Sequence, residues 1–173
     1  MRELDTERLF LRKLHMSDVQ AVYDNWAKDT EVTRYLSWQP HVNTEATRSI
    51  LMQWVAEYHD PDCFRYGIER KSDHALMGMI DVWEIKDGIP EIGYASGKQY
   101  WNRGYMTEAL EALLNELKEH GYNKIHIRAA AENTGSNRVI EKNGFRLISQ
   151  SSEPNEFNPS GLLINYYEKN LSK

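Results

Sequence analysis

The chain has 173 residues and a formal net charge of −5, and 40% of its residues are apolar against 27% charged. That balance is typical of a globular protein, and the length predicts one domain, residues 1–173, with a core of its own. The negative net charge argues against nucleic acid as the main partner. No apolar run approaches the ~20 residues needed to cross a bilayer. One cysteine, with no metal-ligand spacing around it, excludes an internal disulfide, and we expect a cytoplasmic protein without a metal or a membrane contact.

The first third of the chain predicts one strand and then helices. Apolar periodicity and N-cap residues set the predicted bounds. The predicted elements are a strand over Thr6 to Leu14, a helix from the Ser17 cap to about Lys28, a short helical turn over Glu31 to Leu36, and a helix from Asn43 or Thr44 to about Tyr58.

The remainder predicts three strands, then helices and strands in alternation. Asp87-Gly88 indicates a hairpin turn, because both residue types tolerate positive φ. The predicted elements are strands over Phe64 to Arg70, Leu76 to Ile85 and Ile89 to Ser96, a helix over Thr107 to His120, a strand over Lys124 to Ala130, a helix from Asn133 to Asn143, and strands over Phe145 to Ser151 and Leu162 to Lys169. This order predicts an α+β domain around one mixed sheet.

The segment between the fourth predicted strand and the following helix, Tyr100 to Ala109, has the features of a phosphate-binding loop. The first amides of a helix have no intrahelical acceptor, and the helix dipole places partial positive charge there. Gly104 lets the backbone approach a ligand closely, and Arg103 can add a formal charge. The alternative is an ordinary connection between strand and helix.

A second segment, Asn133 to Phe145, places polar groups at another helix N-terminus. Asn133 and Ser136 are three residues apart, so their side chains share one face at the end of the strand over Lys124 to Ala130. The alternative is local, with Asn133 acting only as an N-cap and Gly144 as the helix stop.

Taken together, the two segments resemble the GNAT superfamily of acyl-CoA-dependent N-acetyltransferases. The Arg103-Gly104 loop is similar to the pyrophosphate loop Q/R-x-x-G-x-G/A, and the Asn133 window is similar to N-x-x-S-x-R-x-x-E-K-x-G-F. Further motifs resemble the RimJ/RimL-like branch, which acetylates ribosomal-protein N-termini. They are Thr6-Glu7-Arg8-Leu9 with Leu11-Arg12, Trp38-Gln39-Pro40-His41, Glu91-Ile92-Gly93-Tyr94, and Tyr100-Trp101 with Gly104-Tyr105 and Thr107-Glu108-Ala109.

The resemblance implies a GNAT-like, twisted sheet of six to seven strands with about four helices, splayed between its fourth and fifth strands. Acetyl-CoA is the implied cosubstrate, with its pantetheine arm in that gap. The implied cofactor-binding residues are Tyr94, Ala95 and Ser96 on the fourth strand, Asn102, Arg103, Gly104, Tyr105, Met106 and Thr107 in the loop, and Asn133. The chain departs from the loop pattern at Trp101, where Gln or Arg is general, and at Met106, where a small residue is the norm. We expect the Met106 side chain to point away from the ligand.

The chain departs more sharply from the superfamily pattern at the position of the general acid. Many superfamily members carry a tyrosine five residues before the phenylalanine of Gly-Phe, and this chain has Ile140 there. Ser136 is the nearest candidate to donate a proton to the leaving thiolate. Water is the alternative proton donor, and Tyr166 and Tyr167 on the last strand are further candidates for this role.

The general base is predicted to be Glu91, because the fourth strand carries a catalytic glutamate in several superfamily members. An alkylamine near pKa 10 is almost wholly protonated at pH 7, so a base must take its proton. Strand alternation places Glu91, Gly93 and Ala95 on one face. Asp81 and Glu84 are rivals, predicted on opposite faces of the neighbouring strand.

The expected activity is transfer of acetyl from acetyl-CoA to a primary amine, on a protein N-terminus or a small molecule, by direct attack in a ternary complex. The alternatives are a non-catalytic CoA-binding module on the same fold and an unrelated phosphate binder. A backbone amide around Tyr94 or Ala95 would meet the oxyanion. We expect a monomer or homodimer. The aromatic residues expected around the acceptor are Trp26, Tyr35, Trp38, His41, Trp54 and Trp83.

Overall fold

The computed structural model describes residues 1–155 and 158–171. Its strands are β1 (Leu4–Asp5), β2 (Leu9–Arg12), β3 (Arg65–Arg70), β4 (Ala75–Lys86), β5 (Ile89–Ser96), β6 (Lys124–Ala130), β7 (Arg146–Asn155) and β8 (Asn158–Asn170). Its helices are α1 (Val19–Val22), α2 (Thr30–Thr33), α3 (Thr44–Glu57), α4 (Tyr105–Glu119) and α5 (Thr134–Lys142). A 3₁₀ turn over Met16–Asp18 precedes α1, and a π turn over Tyr23–Ala27 follows it. No helix of the described residues is long and apolar enough to cross a membrane.

All eight strands form one sheet in the order β1-β2-β3-β4-β5-β6-β8-β7. Neighbouring strands are antiparallel except for the central pair, β5 and β6, which are parallel. That central pair is joined only at Glu91 with His126 and at Ile92 with Ile127. Beyond Ile92 the two strands diverge, so the predicted splay between the fourth and fifth predicted strands, here β5 and β6, is confirmed.

Two apolar clusters cover the two faces of the sheet. Leu110, Leu113 and Leu117 of α4 pack with Ile92 and Ile127 on one face, which we call the α4–α5 face. The other face, the α1–α3 face, is covered by Trp26 and Leu51 from the first helices, which pack against Met79 and Ala95. Because successive residues of a strand alternate, Glu91 and Gly93 share the α1–α3 face with Ala95, whereas Tyr94 shares the α4–α5 face with Ile92.

Most predicted turns and helix caps are confirmed. Asp87 and Gly88 both have positive φ, 52° and 76°, as a tight hairpin turn requires. Asn43 caps α3 by accepting from the Ala46 N–H, and Asn133 caps α5 by accepting from the Ser136 N–H. The strand over Lys124 to Ala130 has the predicted bounds.

The first predicted strand is wrong as a single element. The segment Thr6 to Leu14 turns at residues 6–8, and β1 pairs back onto β2 with Leu4 opposite Leu11. The Thr6 N–H and hydroxyl both bond the Leu9 carbonyl, at 3.0 and 3.1 Å, and close the turn. The prediction that Ser17 caps the following helix is also wrong. At the start of this helical segment the Asp18 carboxylate accepts from the His15 N–H.

The predicted placement of Asp81 and Glu84 on opposite faces is wrong, because β4 contains a bulge between them. Asp81 pairs with Gly93 and Glu84 pairs with Glu91, with a register shift between Val82 and Glu84. The extra residue in the bulge reverses the alternation, so both carboxylates lie on the α1–α3 face. Sequence alternation alone had placed them on opposite faces.

Candidate functional site

A cavity of about 750 Å³ occupies the gap between β5 and β6 and passes from one face of the sheet to the other. Glu31, Val32 and residues 34–36, around α2, form its wall on the α1–α3 side. The loop before α4 and one side of α5 form the wall on the other side. The predicted residues that line the cavity are Tyr94, Ala95, Ser96, Asn102, Gly104, Tyr105, Met106, Thr107, Asn133 and Ser136. Such a volume suits a ligand of cofactor size.

The N-terminus of α4 faces this cavity. Gly104 is its N-cap residue and adopts φ 79°, and Asn102 is also left-handed at φ 59°. The first intrahelical bond runs from the Glu108 N–H to the Gly104 carbonyl, so the N–H groups of residues 105–107 have no acceptor within the helix. Three free amides at the positive end of a 15-residue helix are suited to bind phosphate oxygens. The Met106 side chain packs against the core cluster on the α4–α5 face.

The guanidinium nearest to the loop glycine belongs to Arg8, which sequence reasoning did not identify. Arg8 Nη2 would lie 3.4 Å from a Cβ at Gly104. Arg8 Nη1 donates to the Arg103 carbonyl at 3.0 Å, and its guanidinium lies 4.6 Å above the Tyr105 ring. Arg103, the predicted cation, is exposed and does not line the cavity.

Glu108 in the first turn of α4 holds Arg8 in place. It bonds Arg8 Nε at 2.7 Å, the Arg8 N–H at 2.8 Å and the Thr6 hydroxyl at 2.6 Å. Burial alone would raise the pKa of Glu108, but the hydrogen bonds from Thr6 and Arg8 outweigh it and lower that pKa below its usual value.

A buried amide, Asn137, fixes the start of α5 to the end of β6. Its side-chain nitrogen donates to the carbonyls of Asn133 and Ala130, at 2.7 and 2.9 Å. Its oxygen accepts from the Tyr167 hydroxyl at 2.7 Å and from Asn165 Nδ2 at 2.9 Å. The network positions Asn133 and Ser136 beside the gap. Tyr167 therefore serves this network, whereas Tyr166 pairs with Arg128 and lies on the opposite face.

Tyr94 reaches from β5 to the first turn of α5 on the α4–α5 face. Its hydroxyl lies 2.8 Å from the Ser136 hydroxyl and 3.2 Å from the Ser136 carbonyl. Burial raises the pKa of Tyr94, and the hydrogen bond to Ser136 opposes that effect only in part. Ile140, which stands where many relatives have tyrosine, is fully buried in the core.

Glu91 lies on the α1–α3 face, one alternation before the cavity-lining Gly93, and its side chain is not part of the lining. Its carboxylate pairs with Arg128 Nε at 2.9 Å. The Arg128 guanidinium in turn lies 4.8 Å from the ring centre of Trp83, which is 45% exposed. Arg128 does line the cavity, so the pair borders the cavity on this face.

The rival Asp81 is engaged elsewhere. Its carboxylate is buried and bonds Arg65 Nε at 3.0 Å, and Arg65 also pairs with Glu57 of α3. Burial raises the pKa of Asp81, and the Arg65 charge opposes it. Glu84 is exposed at the hairpin end of β4.

Of the aromatic residues predicted near the acceptor, only Tyr35 is in the cavity wall among the described residues. Trp26 is fully buried in the core. His41 packs against Trp38 with ring centres 5.2 Å apart and ring planes tilted by 45°, bonds the Thr47 hydroxyl at 2.8 Å, and has its pKa lowered by burial.

Two cations on α5, Arg138 and Lys142, line the cavity four residues apart and are both exposed. In the described part of the chain, neither forms an ion pair with a carboxylate. Their helical spacing could have been identified from the sequence. No cluster of potential metal ligands is found among the described residues.

A sheet splayed around a cavity, with a helix N-terminus at one wall, is the arrangement expected of an acyl-CoA-dependent acetyltransferase. The chain belongs to the GNAT acetyltransferase family, because the profile of the acetyltransferase (GNAT) domain matches residues 8–146.

Three known proteins illustrate the relationship. An uncharacterized N-acetyltransferase of Bacillus subtilis, YoaA, is 30% identical over 83% of this chain and 82% of its own length. The ribosomal-protein-serine acetyltransferase of Escherichia coli is 26% identical over 82% of this chain and 81% of its own. The structure of RimL, a ribosomal L7/L12 α-N-protein acetyltransferase in complex with CoA, has a TM-score of 0.87, 21% identity and coverage of 98% of each chain. The chain is thus similar in sequence and in fold to proteins of the RimJ/RimL-like branch.

Proposed function

We propose that this protein transfers the acetyl group of acetyl-CoA to a primary amine by direct attack in a ternary complex. The observation that supports this most is the cavity between β5 and β6, which is lined by residues from both faces of the sheet. The α4 N-terminus lines it on one face, and Arg128 and Tyr35 line it on the other. Donor and acceptor can therefore enter from opposite sides and meet in the gap.

The residues present fit an acyl-CoA. The free amides of residues 105–107 would hold the pyrophosphate, with Arg8 beside Gly104 and with Arg138 and Lys142 along the same wall. Past Ile92, β5 has no strand partner on the gap side among the described residues, so its backbone at Tyr94 to Ser96 can pair with the pantetheine arm. Asn133, at the start of α5, would meet that arm.

Glu91 is the proposed base, because it borders the acceptor side of the gap and Arg128 holds its carboxylate in one orientation. It takes the amine proton directly or through a water. A backbone amide around Tyr94 or Ala95 stabilises the oxyanion. Ser136 faces the thiol from the other side of the sheet. Acetyl-CoA, when bound, supplies the thioester carbonyl that the amine attacks.

The acceptor class is a primary amine on a protein N-terminus or on a small molecule. The E. coli relative is named for a ribosomal-protein serine, which supports a protein N-terminus. Tyr35 in the cavity wall offers a cation–π contact, and the Glu91 carboxylate beside the cavity offers an ion-pair contact, to an amine of either kind.

The test is thiol release from acetyl-CoA with the purified chain and a panel of N-terminal peptides and small amines. We expect CoA to bind and at least one amine to be acetylated, with the product identified by mass. CoA binding without turnover on any acceptor would favour the non-catalytic module. Nucleotide binding without CoA binding would favour an unrelated phosphate binder.

A further inference from the structure

We infer that Tyr94 and Ser136 act as one hydrogen-bonded pair, in which Tyr94 orients the Ser136 hydroxyl toward the CoA sulfur and so stabilises the departing thiolate. This inference rests on the proposed function and extends it to a positioning residue on β5. The Tyr94 side chain comes from the strand that the pantetheine arm follows, whereas Ser136 comes from the first turn of α5, and both line the cavity.

The distance between the two hydroxyls fits donation by either one, and the bound ligand would favour one direction. The Tyr94 hydroxyl is 2.8 Å from the Ser136 hydroxyl oxygen. When Tyr94 donates across this distance, the Ser136 proton is free to point into the cavity. A sulfur anion there favours that arrangement over the one in which Tyr94 donates to the Ser136 carbonyl at 3.2 Å, because hydrogen bonds to a charged acceptor are the stronger ones.

The first turn of α5 keeps the Ser136 hydroxyl in place. The Ser136 N–H donates to Asn133 Oδ1 at 3.1 Å, and Asn137 ties the same turn to β6. Tyr94 packs against the core cluster on the α4–α5 face, which also contains Ile140. The strand thus brings a phenol to the cavity, whereas the residue at position 140 of the helix is a buried isoleucine.

The step involves no proton transfer from either hydroxyl. The carbon–sulfur bond breaks, its electron pair stays on the sulfur, and the thiolate later takes a proton from solvent. An ordinary thiol has a pKa of about 8.5, far below that of a buried tyrosine. Burial raises the pKa of Tyr94, so the phenol stays a neutral donor across the working pH range.

The first experiment measures ionisation of the bound CoA thiol by its ultraviolet thiolate absorbance as a function of pH. It compares the wild type with Tyr94→Phe, Ser136→Ala and the double variant. We expect the wild type to bind CoA with a thiol pKa below that of free CoA. Either single substitution should lower the ionisation constant about tenfold, which is the effect of losing one charge-assisted hydrogen bond. The double variant should have an ionisation constant little different from that of either single variant.

The second experiment is kinetic. Tyr94→Phe should lower kcat about tenfold and leave the KM for acetyl-CoA unchanged. Tyr122→Phe, which removes a phenol outside the cavity, is the control and should not change either quantity. Melting temperatures show whether each variant folds.

The outcomes separate this inference from the proposed function. Equal thiol ionisation in the wild type and in Tyr94→Phe, with CoA bound to both, overturns the pair and leaves the acetyltransferase proposal intact. A thiol pKa that is lowered in the wild type and restored by Tyr94→Phe, without turnover on any amine, supports the pair and counts against the acceptor assignment. Failure of the wild type to bind CoA overturns both.

Discussion

Glu108 and Arg8 are 100 residues apart in sequence and form a 2.7 Å ion pair that joins the β1–β2 turn to the first turn of α4. The same carboxylate also accepts from the Arg8 N–H and from the Thr6 hydroxyl. Because Gly104 precedes this turn, the pair places a guanidinium beside the amides that we assign to pyrophosphate. Two sequence motifs that look independent, Thr6-Glu7-Arg8 and Thr107-Glu108, are therefore two halves of one contact.

Glu108→Gln should destabilise the fold at neutral pH and not at low pH. The pKa of Glu108 is lower in the folded protein than in the unfolded chain, where a glutamate has a pKa of about 4.3. Its contribution is therefore fully present above that unfolded value and is lost as the pH falls through the folded value. Urea unfolding between pH 7 and pH 3 measures the difference, and Glu111→Gln, an exposed position on the same helix, is the control. A difference in unfolding free energy between the wild type and Glu108→Gln that stays the same from pH 7 to pH 3 would contradict the assignment.

Local sequence signals identified most of the sheet and the cavity wall. Helix caps, the Asp87-Gly88 turn and the leucine period of α4 depend on neighbouring residues, and they were predicted correctly. The loop amides and Asn133 were also predictable, because a helix start has the same unpaired donors in any fold.

Several of the errors share one cause, which is that the deciding partner is remote in sequence or lies in a backbone irregularity. Arg8 could not be assigned to the loop without its contact to Glu108. The bulge in β4 places Asp81 and Glu84 on the same face, because one extra residue interrupts the two-residue alternation of side chains. The role of Asn137 depends on Tyr167, 30 residues away on β8.

Gly104→Asp should weaken CoA binding strongly. Gly104 has φ 79°, so any side chain there is strained, and aspartate also adds negative charge where the pyrophosphate is proposed to bind. Gly104→Ala carries the same strain without the charge and is the matched control. We expect the dissociation constant for CoA, measured by calorimetry, to rise at least about tenfold more for aspartate than for alanine. Equal affinities of the two variants would argue against phosphate at this helix start.

Arg138→Ala and Lys142→Ala should each reduce affinity for CoA, and the losses should shrink as salt is added. Both cations line the cavity and are exposed, so their attraction to phosphates is partly screened. The discriminating ligand is acetylpantetheine, which lacks the nucleotide phosphates and should bind the variants as it binds the wild type. Lys118→Ala on the far part of α4 is the control. An equal loss for both ligands would mean that these side chains only support the cavity wall.

Asn137→Ala should cost about 3 kcal/mol of unfolding free energy, because several buried polar groups each lose one hydrogen-bond partner. The carbonyls of Ala130 and Asn133 lose a donor, and the Tyr167 hydroxyl loses an acceptor. Asn115→Ala, at an exposed position, should change stability by no more than about 0.5 kcal/mol. Denaturant titration measures both, and a cost for Asn137→Ala as small as that of the control would show that the network does not hold α5.

Glu91→Gln should lower kcat by about 10²-fold or more at pH 7 and much less as the pH approaches the pKa of the acceptor amine. The reason is that a protonated amine needs a base and a neutral amine does not. The variant keeps an oxygen that can accept from Arg128, so the ion-pair geometry is changed as little as possible. The measurement is a pH profile of kcat with a saturating amine.

Two further variants show whether the effect belongs to Glu91 alone. Glu84→Gln removes the carboxylate that is paired across the strands with Glu91 and is exposed, so its profile should match that of the wild type. Asp81→Asn tests the buried rival. This substitution should lower the stability of the fold, because the buried Arg65 charge would have one partner fewer. If Glu91→Gln kept the wild-type profile while Asp81→Asn remained folded and lost the acidic limb, the base would be Asp81, and Glu91 would serve only to hold Arg128 at the mouth of the cavity.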